Sequence, residues 1–201
     1  MYSKPIENLI RAFSHLPGVG RRTAERYVFH LLKAGKKDPA ELALAIKNLI
    51  TTVKSCAICF DFSDRSPCAI CADTKRNAKQ ICVVAESQDL QAIERTNAYT
   101  GRYHILRGLV ETDALINDEN ALKIPELVAR AKSEGITEII LALNPDLQGE
   151  TTALYLEKEL KTTNPGLTIT RLARGLPMGS DLQYADEITL SSALKHRTGS
   201  N

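Results

Sequence analysis

Four cysteines stand as two pairs, Cys56-Ala-Ile-Cys59 and Cys68-Ala-Ile-Cys71, separated by eight residues. No other feature restricts the fold of this chain so strongly. Two Cys-x-x-Cys pairs this close aim four sulfurs at one ion, and four thiolates leave no position open for water. The pattern therefore predicts a structural zinc site, not a catalytic one. The intervening loop, Phe60 to Pro67, carries Asp61, Ser63, Asp64, Ser66 and Pro67, which are turn residues. Disulfides would require an oxidising compartment. Met1 to Pro5 lack the apolar run of a secretory leader, and no apolar stretch is long enough to span a bilayer. The expected location is the cytoplasm, with no membrane partner. The zinc site staples a module, residues 54–75, between two larger segments. Cys59→Ser is expected to unfold that module alone. The fifth cysteine, Cys82, lies in an apolar run and reads as a small core residue.

The net charge of +2 conceals an asymmetry: residues 1–37 sum to +6, and the remainder to −4. A basic head on an acidic body points to an anionic polymer at the N-terminal end. Within that head, helical spacing of Ile6, Leu9, Ile10 and Phe13 breaks at Leu16-Pro17-Gly18-Val19-Gly20 and resumes from Thr23 to Leu32. Two helices joined by this glycine-bearing turn have the shape of a helix-hairpin-helix. Gly18 and Gly20 let the backbone approach a phosphate, and the start of the second helix presents N–H groups and a favourable dipole. Arg21, Arg22 and Arg26 follow, with Arg22 and Arg26 on one face. Contacts of this kind go to the DNA backbone and confer affinity without sequence specificity. A third helix is expected from Asp38-Pro39, with Leu42, Ala45, Ile46 and Leu49 on one face.

From Gln80 onward, buried strands alternate with helices. Strands are predicted at 81–85, 103–106, 139–143 and 168–173. Helices are predicted from a Ser87 cap to about Thr96, over 125–133 and over 150–160; Arg197 to Asn201 read as a tail. Such alternation implies a mostly parallel sheet covered on both faces. Glu86 follows the first strand, and Asn144-Pro145-Asp146-Leu147-Gln148-Gly149-Glu150 follows the third. The C-terminal ends of strands are where open α/β sheets place their sites. The carboxylates of Glu86, Asp146 and Glu150 are thus candidates for holding Mg²⁺.

The hairpin, the four-cysteine finger, the Val83-Val84-Ala85-Glu86 strand end, the Asn144–Glu150 run and the stretch from Arg174 to Glu187 occur in the order seen in RecR, a family of bacterial recombination mediators, which the chain resembles over nearly its whole length. The resemblance implies a multi-module α/β protein: a helix-hairpin-helix DNA-binding region over 1–53, a C4 zinc finger over 54–75, a Toprim domain over 80–175, and a C-terminal segment over 176–201. That last segment includes a Walker-B-like stretch at 185–190 and is a candidate for oligomerisation. It further implies a ring-forming homo-oligomer that binds single- and double-stranded DNA and acts with RecO-like and RecF-like partners to load RecA on single strands. The chain departs from catalytic Toprim enzymes: Asn144 stands at the first acid of the second motif, and Gln148 where topoisomerases often carry Glu. No GxxxxGK[ST] phosphate loop accompanies the Walker-B-like stretch. The expectation is accordingly a non-enzyme whose Toprim acids meet a basic partner surface or a weakly held Mg²⁺. The alternative is a small metal-dependent Toprim nuclease or nicking enzyme.

Overall fold

The glycine-proline break near residue 17 divides the N-terminal apolar pattern into two short helices that can bury only one stripe each. The computed structural model describes residues 2–110, 122–133 and 135–197. It divides the chain into two compact units, Met1–Val53 and Lys54–Asn201. In the first, α1 (Lys4–Ser14) holds Pro5 in its first turn, where a missing N–H leaves no bond unmade. It packs through Ile10 on Ala24 and Val28 of α2 (Arg21–Lys33), with Ile6, Phe13 and Val19 closing the cluster. The third helix, α3 (Lys37–Thr52), buries no residue; Leu42, Ala45, Ile46 and Leu49 all remain exposed.

The second unit begins with the zinc module: a two-stranded antiparallel ribbon of β1 (Lys54–Ser55) and β2 (Phe62–Ser63), then the single turn α4 (Ala69–Ala72). A four-stranded sheet follows, built from β3 (Asn77–Val84), β4 (Gly101–Ile105), β5 (Glu138–Leu141) and β6 (Thr168–Arg171). Its order is β4-β3-β5-β6, and every pairing is parallel. Parallel neighbours need crossovers. Those described contain α5 (Ser87–Glu94), α6 (Ile124–Ser133) and α7 (Leu147–Thr163). A short 3-10 turn, Leu182–Tyr184, and α8 (Glu187–Lys195) end the described chain, so of the expected tail only Arg197 is described.

Side chains alternate across a strand, and β3 shows the consequence. Ile81 and Val83 enter a core with Leu127 of α6 and Leu156 and Leu160 of α7. Cys82 and Val84 enter the opposite core with Leu90 of α5, Tyr103 and Ile105 of β4, and the four zinc-module cysteines. The sheet is thus covered on both faces, and one cover is the zinc module.

One local expectation changes. The N-cap of α5 is Glu86, not Ser87: the Glu86 N–H is taken by Asp89 Oδ2 at 3.0 Å, while the Ser87 hydroxyl oxygen is buried without a partner among the described residues. The Walker-B-like stretch 185–190 opens α8. Asp186 is the N-cap of α8, its two oxygens accepting the Thr189 N–H at 2.8 Å and the Thr189 hydroxyl at 2.7 Å.

Candidate metal centre and nucleic-acid interface

Each cysteine pair is a tight backbone turn. Phe60 N–H reaches Cys56 O at 3.0 Å and Cys56 N–H reaches Asp61 O at 2.8 Å; in the second pair Ala72 N–H reaches Cys68 O at 2.9 Å. These turns bring the four sulfurs within 4.8 Å of one another, all buried and none in a disulfide. The Cys59 and Cys68 sulfurs lie 3.6 Å apart. A tetrahedron with Zn–S bonds of about 2.3 Å would place its sulfurs about 3.8 Å apart, so the residues fit the ion. Backbone amides also face the sulfurs, with Cys68 N–H at 3.4 Å from Cys56 Sγ and Cys71 N–H at 3.5 Å from Cys68 Sγ.

The titration of these thiols shows why a cation belongs there. Burial pushes the Cys56 thiol up, but amides of Cys59, Cys68 and Ile58 outweigh it and bring it down to about 6. Burial raises Cys68 to about 11, and Cys59 is pushed up by its bond to Cys71 and by burial. Four thiols so close cannot all ionise without an ion to neutralise them. The site is a structural zinc centre with no open position.

The centre is welded to the sheet. The Cys59 carbonyl accepts the Ile105 N–H of β4 at 2.8 Å. The next carbonyl, Phe60, accepts both Nε and Nη2 of Arg107 at 3.2 Å. Sequence reading missed this link because its partners lie 47 residues apart and Arg107 sits in no motif.

The three Toprim acids form no metal-sized cluster among the described residues. Among the described residues, the four cysteines are the one group of His, Cys, Asp and Glu side chains close enough to hold a metal. Glu86 is exposed at the start of α5. Asp146 caps α7, its Oδ1 accepting the Gly149 N–H at 2.8 Å. Gly149 is required there by close approach: a Cβ would lie 2.0 Å from the Asn144 carbonyl oxygen. Much of the Asn144–Glu150 motif is therefore the architecture of a strand-to-helix turn. Glu150 is clamped, accepting Arg171 Nη1 at 2.9 Å on one oxygen and Arg174 Nη2 on the other. Arg171 also binds Glu157 at 2.7 Å. Arg174 and Glu150 both line a cavity of about 510 Å³ between the sheet end and α8. Arg174 opens the Arg174–Glu187 stretch, but nothing in the sequence pairs it with Glu150.

In the first unit the hairpin takes the expected form. Gly18 adopts φ +76°, a left-handed turn natural to glycine, with nothing within 4 Å of where a Cβ would stand. Gly20 is the N-cap of α2, so the first-turn N–H groups of that helix open beside Arg21 and Arg22. The three arginines separate in role. Arg21 is paired with Glu7 at 2.9 Å and with Glu25 at 3.3 Å, and the Glu7 bond raises its pKa. Arg22 and Arg26 are exposed and form no ion pair among the described residues; Arg26 lies 5.8 Å from the Tyr27 ring centroid.

A helix-hairpin-helix, a four-thiolate zinc module and an all-parallel Toprim sheet together define a multi-module α/β protein of the kind that handles DNA. Family models agree in every segment: the RecR helix-hairpin-helix over residues 6–50, the RecR four-cysteine zinc finger domain over 53–73, the Toprim domain over 79–173 and the RecR C-terminal region over 175–198. Relatives named recombination protein RecR include that of Anaeromyxobacter dehalogenans, 47% identical over 96% of both chains. That of Moorella thermoacetica is 46% identical over 98% of this chain and 97% of its own. That of Mycobacterium leprae is 44% identical over 98% of both. The chain belongs to the RecR family.

Proposed function

We propose that this protein is a DNA-binding mediator of recombinational repair, without catalytic activity of its own. It grips the DNA backbone through Arg22 and Arg26 on the helix-hairpin-helix. Working in the cytoplasm on the nucleoid, it acts with RecO-like and RecF-like partners to load a RecA-type recombinase onto single strands. The observation that carries the reading is the pair of exposed, acid-free arginines beside the open N-terminus of α2, within a chain whose relatives are named recombination proteins. Self-association into a ring fits the apolar surface left over: Leu42, Ile46 and Leu49 on α3, and Tyr184 and Ile188 at the C-terminal end, are exposed. Against the nuclease alternative stand the two arginines on Glu150 and the lack, among the described residues, of a metal-sized cluster containing the three Toprim acids. A general metal mechanism needs carboxylates gathered on one ion.

The test is retention of a gapped duplex on a gel, with and without Mg²⁺ or Mn²⁺, scored for binding and cleavage together. Retention should weaken with salt, no products should form, and Arg22→Ala/Arg26→Ala should weaken binding to all sequences alike. Unchanged affinity in that variant would remove the hairpin from the reading. Metal-dependent products abolished by Glu86→Ala would establish the nuclease instead.

A further inference from the structure

We propose that the zinc module carries a second, separate contact for single-stranded nucleic acid: a base-stacking platform formed by Phe62 on a backing of Arg107. The class of ligand rests on the function proposed above; the site lies in the other unit and uses different atoms and a different chemistry.

Phe62 is 60% exposed in β2, so its ring contributes little to the core. It is nevertheless held. The Arg107 guanidinium carbon lies 4.7 Å from the ring centroid, a cation–π contact. That guanidinium is fixed in turn by its two bonds to the Phe60 carbonyl. Both residues that make this bracket are strained: Phe60 has φ +66° and Arg107 φ +67°. Glycine would adopt either conformation without penalty, so a phenylalanine and an arginine there must be explained by their side chains. Phe60 anchors the bracket, its ring edge-on to buried His104 with centroids 5.3 Å apart and Lys123 Nζ 5.4 Å from its centroid. Arg107 supports Phe62. The result is an aromatic ring set against a cation and otherwise largely open to solvent.

A rigid, solvent-facing ring next to a fixed guanidinium suits a base and its neighbouring phosphate, the combination by which single strands are bound without regard to sequence. A protein hot spot would instead need apolar surroundings to exclude water. Exposed residues of the module from β1 through the loop after β2 are Lys54, Ser55, Ala57, Asp64, Arg65, Ser66 and Pro67, most of them polar. The nearest acid in sequence, Asp61, is buried and accepts the Phe62 N–H at 2.9 Å.

The chain contains no tryptophan, so Phe62→Trp installs a single reporter at the platform. With the full-length, zinc-loaded protein, oligothymidylate should quench that emission, and an abasic deoxyribose-phosphate strand of equal length should not. Phe62→Ala should weaken oligothymidylate binding about tenfold, the order expected for one lost stack, and leave abasic-strand binding unchanged. Emission that stays constant while the complex forms, or wild-type affinity in Phe62→Ala, would overturn the platform. Arg22→Ala/Arg26→Ala run in parallel separates the two readings. Loss of abasic-strand binding there, with no effect at Phe62, sinks the platform alone; the converse sinks the hairpin alone.

Discussion

The two units of this protein solve the problem of a small core in opposite ways. The first, residues 1–53, encloses Ile10, Ala24 and Val28 and leaves its third helix without a buried residue. The second wraps a parallel sheet on both faces and recruits four cysteines into one of the two cores. Surface grows relative to volume as a domain shrinks, and units of about 50 residues ordinarily need a staple or a partner. The second unit has its staple within; the first leaves the apolar side chains of α3 exposed. A metal thus stabilises the unit that needs it less by size, because it closes the edge of a sheet rather than an isolated loop.

The largest effect should come from the metal. Structural zinc binding is worth on the order of 10 kcal/mol in small modules. Were the finger an independent module, as its local spacing suggests, Cys59→Ser would unfold residues 54–75 alone. The shared core and the bond from Ile105 N–H to Cys59 O argue otherwise. Chelation or Cys59→Ser should abolish amide protection in the finger and in β4, and spare α2. Hydrogen exchange resolved by peptide reads all three; loss confined to 54–75 would restore the independent finger.

A core truncation sharpens the contrast. Ile10→Ala and Leu156→Ala each remove a fully buried aliphatic side chain, a loss of about 2–5 kcal/mol. The same loss should melt the first unit at room temperature and only lower the melting temperature of the second. Circular dichroism and calorimetry of the two variants would show it, and equal tolerance would mean that the first unit is more stable than its core suggests.

Acid should act on the second unit through His104. Burial lowers its pKa from the ordinary 6.5 to about 4. Its Nε2 donates to the Lys123 carbonyl at 2.6 Å and its Nδ1 faces Arg130 Nη1 at 3.3 Å, an arrangement suited to the neutral ring. The unfolded chain takes up a proton below pH 6.5 that the folded chain refuses until about pH 4. Stability from this group is complete above 6.5 and lost as pH falls through that window, by up to about 3 kcal/mol. Denaturant titrations at about pH 7, 5.5 and 4 should show the loss, and His104→Gln should flatten it. A wild-type profile unchanged by that substitution would assign the acid sensitivity elsewhere.

The contrast also explains what could be read in advance. The zinc ligands were legible because both pairs are local in sequence and spacing alone aims their sulfurs. Strands 81–85 and 139–143 were legible because a sheet buried on both faces leaves nearly continuous apolar runs. The fate of Glu150 was not, since Arg171 and Arg174 reach it from the far side of a helix and a strand. The same limit hid the support of Phe62 by Arg107. Asp146 and Glu86 were open to two readings for a related reason: an acid after a strand is equally good for a metal and for capping the next helix, and only geometry separates the two.

The smallest effect tests the division of labour among the hairpin arginines. Arg21, Arg22 and Arg26 are alike in sequence, yet Arg21 alone is neutralised, by Glu7 and Glu25. Replacing Arg21 is a poor test, because it also frees two carboxylates beside the phosphate path. Glu7→Gln is cleaner: it releases Arg21 from its shorter pair and removes one repulsive charge. DNA affinity should rise slightly, and the dependence of log affinity on log salt should steepen by at most about one phosphate equivalent. Arg22→Ala should move the same slope the other way by about one. If Glu7→Gln leaves the slope where it was, Arg21 is held off the DNA by Glu25 or by its position, and the hairpin grips with two arginines rather than three.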